Sequence, residues 1–445
     1  MEKKQIPGFL ALSPILVFLA VYLISSILAH DFYKVPVSAA FMVASIYAVA
    51  ITPGRISERL NIFSQGAGHW NIMLMVWIFI LAGAFAGSAK EIGSIDATVN
   101  FTLNIIPPKF LLAGLFMTAC FVSLAIGTSV GTIVALIPIA SGIAQQAGLN
   151  QGLMAALIVG GSFFGDNLSF ISDTTIAATR AVGCAMADKF RANFLIVLPA
   201  VVVVTGIYLF KGISLDAEFD TQSVEWLKLM PYISVIILAL LGMDVTFVLV
   251  LGLLLNGVVG FVTGSLDWAG WLGSMGQGIA GMGDLIIVTL LAGGMLGLIR
   301  DNGGLDYIMR GIVRRIRGRR DAELSIGLLT GLANLCTANN TIAIITVGGI
   351  VNDIAGKFDI SKRRAASLMD ISSCFVQGLI PYGIQLLMAT GLTGLAVTEI
   401  IPYLYYPFAV GISVIISILA FRPSVPAMVS AGHFGNKRQK KNRVP

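Results

Sequence analysis

The chain has 445 residues, of which 56% are hydrophobic and only 12% are charged. Ordinary soluble domains carry about 45–50% apolar and about 25% charged residues, so this composition excludes a water-soluble globular protein. The formal net charge is +6. Because the basic residues cluster beside apolar segments, the charge indicates membrane topology, and nucleic acid is not an expected partner. We therefore expect an all-α polytopic membrane protein.

Hydropathy predicts ten transmembrane spans, since a run of about 20 apolar residues is long enough to cross a bilayer. They lie near residues 8–29, 35–52, 71–90, 152–182, 192–210, 230–243, 245–263, 280–300, 365–392 and 400–421. The first run lacks a clear small-residue cleavage site, so we interpret it as a retained span and not as a signal peptide.

Two further apolar segments, 109–146 and 322–356, are interrupted halfway by polar residues. The interruptions are GTSVGT at 127–132 and CTANNT at 336–341. Each arm is short for a full crossing, so we interpret both segments as re-entrant hairpins. Irregular backbone at membrane depth is tolerated where protein or a polar cavity satisfies it.

Basic residues in short loops orient the chain, because such residues stay on the cytoplasmic side. That side carries Lys3, Lys4, Arg55, Arg59, Arg180, Lys189, Arg191, Arg300, the arginines of 310–320, Lys357, 362–364 and the tail. The segment 211–229 is net acidic and is predicted to be an external linker. An even number of crossings then places both termini in the cytoplasm, with the chain in the cytoplasmic membrane.

The arginine-rich stretch LDYIMRGIVRRI at 305–316 is amphipathic. Such a helix is typical of the membrane interface, where its basic residues meet anionic lipid headgroups. Membrane lipid is therefore an expected partner.

The chain contains an internal repeat. The segment 79–96, FILAGAFAGSAKEIGSID, aligns without gaps onto 289–306, TLLAGGMLGLIRDNGGLD, and retains the spacing of a charged pair. A duplicated unit of five crossings and one hairpin has its copies in opposite orientations. We therefore predict two inverted-topology repeats, 1–210 and 230–421, with a basic cytoplasmic tail at 422–445. Secondary transporters are built on this plan, with broken helices and their binding site near the midplane.

With small gaps the alignment of the two repeats continues to the polar residues. It places Thr132 opposite Thr341 at the hairpin tips, and it places Asp166 and Ser169 opposite Asp370 and Ser373. On this alignment the two aspartates occupy equivalent places in the two repeats.

Polar clusters interrupt the apolar surroundings near 127–132, 165–175, 337–341 and 370–377. Hydroxyl, amide and carboxylate oxygens are suitable ligands for Na⁺, and an ionisable residue within a membrane span is functional by default. The predicted ion- or substrate-binding residues are Thr128, Ser129, Thr132, Asp166, Asn167, Ser169, Asp173, Thr174, Thr337, Asn339, Asn340, Asp370 and Ser373. Among them Asp166, Ser169 and Asp370 are the predicted Na⁺ ligands. No cofactor is expected.

Two other classes of membrane protein fit the sequence poorly. A membrane enzyme needs a nucleophile with its base or a set of metal ligands, and the chain has neither a His cluster nor a Ser/His pairing. A channel predicts a continuous pore, whereas paired broken helices suit alternating access.

The motifs GTSVGTIVALIPIA at 127–140 and GGSFFGDNLSFISDTT at 160–175 resemble the NhaC-type sodium/proton antiporter family of the ion transporter superfamily. The resemblance extends through CTANNT and the second repeat. It implies a scaffold and a transport part, two re-entrant hairpins, two unwound helices, Na⁺ coupling and an elevator-type movement. The residues that match the first hairpin tip and the first unwound helix are Thr128, Ser129, Thr132, Asp166, Ser169, Ser172, Asp173 and Thr174.

The chain departs from the family pattern at two positions. Many members have a lysine where this chain has Asn167, and a proline where it has Phe170. We expect the lost lysine to leave the site more anionic.

Two transport functions remain open. The first is Na⁺/H⁺ antiport with Na⁺ and H⁺ as the ions carried, and the resemblance favours it. The second is Na⁺- or H⁺-coupled transport of an amino acid or small carboxylate, for which Asn339, Asn340 and Gln377 would provide donors. A small organic solute and a second copy of the chain in a homodimer are the alternative partners.

Overall fold

The computed structural model describes residues 7–28, 36–170, 172–213, 215, 223–241 and 243–420. Within these ranges the chain is all-helical. The predicted basic tail at 422–445 and much of the acidic linker lie outside the described residues.

Among the described residues, ten α-helices precede the linker and eleven follow it. The first ten are α1 (Gly8–Leu28), α2 (Val37–Ile51), α3 (Ile56–Ala67), α4 (Trp70–Glu91), α5 (Ser94–Ile105), α6 (Leu111–Ile126), α7 (Ser129–Gln146), α8 (Gln151–Leu168), α9 (Asp173–Val182) and α10 (Met186–Ile213). The second half has eleven: α11 (Trp226–Leu240), α12 (Val245–Thr263), α13 (Trp268–Gly281), α14 (Gly283–Asp301), α15 (Gly304–Val313), α16 (Arg319–Thr337), α17 (Asn340–Lys357), α18 (Lys362–Gln377), α19 (Ile384–Thr393), α20 (Val397–Ile400) and α21 (Tyr405–Ala420).

Seven helical segments of the described chain are long and apolar enough to cross a membrane, and a pair bent by 98° would make an eighth. The seven are Trp70–Glu91, Pro108–Ile126, Ser129–Gln146, Gln151–Val182, Met186–Ile213, Val245–Thr263 and Gly283–Asp301. Four of the predicted spans appear as shorter apolar helices, at Gly8–Tyr22, Val37–Ile51, Trp226–Leu238 and Tyr405–Ala420. The chain is therefore a multi-pass, all-helical membrane protein.

The first hairpin differs from its prediction in arm length. Its arms are segments of 19 and 18 residues that meet the length and hydropathy needed for a crossing. The sequence predicts shorter arms, because the polar residues GTSVGT interrupt the apolar run. In the structure the break is confined to Gly127 and Thr128, and α7 already begins at Ser129.

The order of helices in the first half recurs in the second. Left-handed backbone conformations mark matching positions: φ is +74° at Gly127 and +49° at Ala338, where the two hairpins turn. The loops after the hairpins turn at Gly148 and Asp359, with φ of +65° and +52°. Helices α9 and α19 are followed by Gly183 and Gly394, with φ of +66° and +75°. All three pairs are separated by the same interval along the chain, so the halves correspond without a gap from hairpin tip to helix α19.

Contacts between the halves are exchanged in pairs. Helix α3 packs on α14 as α13 packs on α4, α2 packs on α14 as α12 packs on α4, and α9 packs on α17 as α19 packs on α7. Each half therefore completes the other, as a two-fold pseudo-symmetric arrangement requires.

Recurring glycines of the sequence repeat make this exchange possible. A Cβ at Gly83 would lie 2.5 Å from the carbonyl oxygen of Gly278, and a Cβ at Gly66 would lie 2.5 Å from that of Gly293. Small residues let helix backbones approach closely in membranes. The glycines repeated between 79–96 and 289–306 are thus the contact points of α4 with α13 and of α14 with α3.

The orientation of the two halves can be tested by labelling Asn150 and Ser361, the exposed N-cap residues of α8 and α18. A Cys184→Ser background is suitable, because the other three cysteines are buried. If the repeats are inverted, a membrane-impermeant maleimide should label Asn150→Cys from outside and Ser361→Cys only in inside-out vesicles. Labelling of both cysteines from one side would contradict the inverted plan.

Candidate functional site

Two broken helices and two hairpin tips converge in the interior of the protein. Helix α8 ends at Leu168 and α9 begins at Asp173, while α18 ends at Gln377 and α19 begins at Ile384. The last turn before each break contacts the hairpin tip of its own half. Asp166 does so in the first half and Gln377 in the second.

Asp166 is a buried carboxylate at the C-terminal end of α8, with 4% of its surface exposed. Its Oδ1 accepts a hydrogen bond from the backbone N–H of Ser129, the first residue of α7, at 3.1 Å. A helix N-terminus stabilises a negative charge placed there. Thr174 donates its hydroxyl to the backbone oxygen of Asp166 at 3.0 Å, which ties α9 back to α8 across the break. No Lys, Arg or His in the described ranges forms an ion pair with Asp166.

Asp370 has a different environment, because a cation neutralises it. Lys189 Nζ lies 2.7 Å from Asp370 Oδ2, and the two side chains are 1% and 0% exposed. Asn193 donates its amide to the same oxygen at 2.7 Å. The ammonium also donates to the Asn167 backbone oxygen at 2.9 Å and to Thr175 Oγ1 at 2.6 Å. All three donors of the lysine are therefore used.

The prediction that Lys189 lies in a short loop is wrong, since it is buried in the first turn of α10. The expectation that the missing lysine at Asn167 leaves the site more anionic stays a prediction. One cation does reach this place, because Lys189 donates to the Asn167 carbonyl from α10. The available signal was the pair Lys189 and Asn193, whose four-residue spacing puts both on one helix face.

The alignment of Asp166 with Asp370 is also wrong. Ser123 donates its hydroxyl to the backbone oxygen of Ser162, and Asn334 donates its amide to that of Ser373 at 2.7 Å. These two bonds are equivalent, and they are separated by the same interval as the turns at Gly127 and Ala338. In this register Ser373 matches Ser162.

The residue that matches Asp166 in this register is Gln377, while Asp370 lies about two turns deeper in α18. The same register replaces Thr341 by Ala343 as the counterpart of Thr132. The first break therefore has a carboxylate where the second break has an amide. Asp166 and Asp370 do not occupy equivalent positions in the two halves.

Two glutamines connect the second break to the first hairpin tip. Gln377 donates to Gln385 Oε1 at 2.9 Å, and Gln385 donates to Ser129 Oγ at 2.9 Å. Both are buried, and together with Ser129 they link the second broken helix to Asp166. Sequence reasoning missed Gln385. Its signal was its position directly after the break, where the first half has Thr174.

Several predicted site residues make local contacts. The Thr132 hydroxyl donates to the Thr128 carbonyl one turn earlier, and the Ser373 hydroxyl donates to the Asp370 carbonyl at 2.8 Å. Ser169 is buried in the first break, where its backbone N–H donates to the Gly165 carbonyl at 2.7 Å.

The second hairpin tip is held together by its own polar side chains. Thr337 donates its hydroxyl to the Asn339 carbonyl at 3.0 Å. Asn339 Oδ1 caps α17 by accepting from the Ile342 N–H at 2.9 Å. The Asn340 amide contacts Cys374 Sγ at 3.9 Å. These amides therefore stabilise the tip.

Asp173 lies apart from this buried network. It is exposed at the start of α9 and, with Arg180 and Thr341, lines an open pocket of about 420 Å³ between α9 and α17.

Unpartnered oxygens surround the ion pair. Asp370 Oδ1, Asn167 Oδ1 and Asn193 Oδ1 are buried and accept no hydrogen bond from a described residue. Buried polar atoms without partners are rare in proteins. Oxygens of this kind can coordinate a dehydrated Na⁺, so the surroundings of Asp370 suit a cation better than an organic anion.

Comparison with known proteins identifies related sequences along most of the chain. The model of the Na⁺/H⁺ antiporter family matches residues 6–213 and 226–421. The chain is 24% identical over 449 residues to the Na⁺/H⁺ antiporter NhaC of Alkalihalophilus pseudofirmus, covering 92% of this chain and 94% of that protein. It is also 24% identical over 385 residues to the malate-2H⁺/Na⁺-lactate antiporter of Bacillus subtilis, covering 78% and 81%. Among solved structures, the Alcanivorax borkumensis YdaH transporter aligns with a TM-score of 0.44 and 14% identity, over 91% of this chain and 97% of that one.

The buried ion pair predicts a large effect of Lys189→Met on stability. Removing one partner of a buried pair costs about 3–5 kcal/mol, because the other charge stays buried without compensation. The double change Lys189→Met/Asp370→Asn should recover much of that loss. The free energy of unfolding in detergent measures both.

The matched control is Lys228→Met, which removes a surface pair with Glu225 whose side chains are 20% and 63% exposed. Surface pairs contribute about 0–1 kcal/mol. Equal losses of unfolding free energy in Lys189→Met and Lys228→Met would show that the buried pair stabilises the protein no more than a surface pair does.

Proposed function

Because the chain belongs to the Na⁺/H⁺ antiporter family, we propose that it exchanges Na⁺ for H⁺ across the cytoplasmic membrane by alternating access, with Asp166 as the carboxylate that binds either ion. The observation that carries this proposal is the difference between the two buried aspartates. Asp370 has a cationic partner in Lys189, and Asp166 has none among the described residues.

A buried carboxylate is costly unless something neutralises it. At Asp166 one backbone N–H supports the negative charge, and the remaining neutralisation must come from a mobile cation or a proton. Both bind the same carboxylate oxygens, so their binding is mutually exclusive. Exchange of Na⁺ for H⁺ follows from this competition.

Oxygen ligands for Na⁺ are available around Asp166. The hydroxyls of Ser129 and Thr174 lie at the hairpin tip and at the start of α9, and both are buried. Ser169 lies within the break, where backbone carbonyls leave the helical pattern. We propose these three residues with Asp166 as the Na⁺ site.

Asp370 has a second role in this proposal. Lys189 already neutralises Asp370 through Oδ2, so the charge of Asp370 is balanced without a mobile cation. We propose that the pair holds α10 against α18 while the ion binds next to it, and that Asn167 connects the two places through its carbonyl.

The exchanged packing of the two halves supports the transport architecture. We propose two inverted repeats with ten crossings, the two breaks near the midplane and both termini cytoplasmic. Although the arms of the first hairpin are long enough to cross, both hairpin tips contact the breaks in the interior, so we propose that both hairpins are re-entrant. Broken helices at the interface of inverted repeats are where secondary transporters bind their ions.

The carboxylate role predicts that Asp166→Asn abolishes Na⁺-driven proton movement in proteoliposomes while the protein still folds. The amide is close to isosteric but carries no charge, so Na⁺ loses its neutralising partner. Asp370→Asn should also severely weaken the Na⁺ dependence.

Asp188→Asn is the control, because it removes an exposed carboxylate from the first turn of α10, next to Lys189. Wild-type Na⁺ dependence in Asp166→Asn would refute the ligand role.

Antiport also predicts that Na⁺ alone drives proton flux, with an apparent Na⁺ affinity that weakens as the pH falls. The rival function, coupled transport of an organic solute, predicts silence until an amino acid or carboxylate is added. Malate and lactate should be among the solutes added, because the Bacillus subtilis relative is named for them. In the rival case Asn339→Ala and Asn340→Ala should cripple solute affinity, each unpaired group costing about 1–3 kcal/mol. Under antiport they should change Na⁺ affinity only modestly.

A further inference from the structure

Helices α15 and α17 are separated by a cleft of about 680 Å³. This volume falls within the range of about 300–1,000 Å³ that is usual for ligand pockets. One part of the lining is apolar and includes Met309, Ile350 and Phe358. The other part is charged, with three basic residues, Arg310, Arg314 and Lys357, and two acidic ones, Asp306 and Asp353.

The equivalent place in the first half is closed. There α5 packs directly on α7, and Gln146 donates its amide to Asn100 Oδ1 at 2.9 Å. Gly142 allows the approach, because a Cβ at this position would lie 2.7 Å from Val99 Cγ2.

In the second half, charged residues replace Gly142, Gln146 and Asn100 of this contact. In the register of the hairpin turns, Asp353 aligns with Gly142, and Lys357 aligns with Gln146. In the register of Gly93 and Gly303, which begin α5 and α15, Arg310 stands for Asn100. These charged side chains prevent α15 and α17 from packing as closely as α5 and α7 do. The cleft therefore follows from the residues of the second half.

The basic residues of the cleft have no carboxylate at ion-pair distance within the described chain. Arg310 Nε donates to the Asp306 backbone oxygen at 3.3 Å, and Lys357 Nζ lies 5.5 Å from the centre of the Phe358 ring. Three exposed cations against two carboxylates leave the cleft with a net positive charge next to an apolar wall. A ligand that matches both parts carries an anionic group and a hydrocarbon chain.

We propose that this cleft binds one anionic phospholipid. Its phosphate lies between Arg310, Arg314 and Lys357, and the beginning of an acyl chain lies against the apolar wall. Guanidinium groups bind phosphate oxygens in a bidentate manner, and basic pockets between membrane helices bind anionic headgroups. This lipid site is separate from the buried network of Asp166. The protein would then bind a lipid as well as the transported ions.

The test uses the purified full-length protein in detergent, titrated with dioleoylphosphatidylglycerol or dioleoylphosphatidylcholine and measured by native mass spectrometry. We expect one phosphatidylglycerol to bind per chain in preference to phosphatidylcholine. Arg310→Gln/Lys357→Gln should lower its affinity by roughly tenfold or more, because charged hydrogen bonds are lost.

The matched control is Arg315→Gln/Arg320→Gln, which removes two exposed arginines of the same basic segment that do not line the cleft. Should the cleft variant fail to fold, Lys357→Gln is compared with Lys357→Arg, which should retain binding. Equal binding of the two lipids, an equal loss in the control, or displacement of phosphatidylglycerol by inorganic phosphate would overturn the proposal.

Discussion

A buried ion pair between the two halves of the protein determines how the charges of the interior are distributed. Lys189 comes from α10 and Asp370 from α18, and their 2.7 Å contact is shielded from solvent. Charges in a low-dielectric interior persist only when they are paired and hydrogen-bonded. The pair meets this condition through Asn193, Thr175 and the Asn167 carbonyl. Asp166, which directly precedes Asn167 in the chain, has no such partner among the described residues, and we propose that a mobile cation or a proton binds there.

The two halves have the same fold but different polar residues at their helix breaks. Matching turns, breaks and helix ends follow one register, and glycines such as Gly83 and Gly293 support the exchanged packing. Within this framework the first half places a carboxylate before its break, whereas the second half places Gln377 there. One uncompensated carboxylate is enough for a competition between Na⁺ and H⁺. The glutamines then connect the second half to that carboxylate without adding charge.

The sequence was sufficient to predict the class of fold, the two polar hairpin tips and the first break, because polar and glycine residues inside apolar runs have few explanations in a membrane. Family resemblance to the NhaC-type antiporters is confirmed by the match along the chain. The register of the repeats beyond Asp306 was not predictable from residue types. The predicted alignment paired Asp166 with Asp370 because both are aspartates. The backbone turns show that Asp166 corresponds to Gln377 instead.

Lys189 illustrates a second limit. A lysine near the end of an apolar run has the same sequence signal whether it remains in a cytoplasmic loop or enters the interior. Only the three-dimensional arrangement of α10 against α18 distinguishes the two. Gln385 was missed for a related reason, because its partner Ser129 is distant in sequence.

The proposed exchange depends on competition between Na⁺ and a proton for Asp166. It is tested most directly by adding Na⁺ to the purified protein in weakly buffered detergent solution and measuring proton release with a pH indicator. If the two ions compete, Na⁺ should release protons from the wild-type protein and K⁺ or choline should not. Asp166→Asn should lose the release while remaining folded. Undiminished proton release from Asp166→Asn would contradict it.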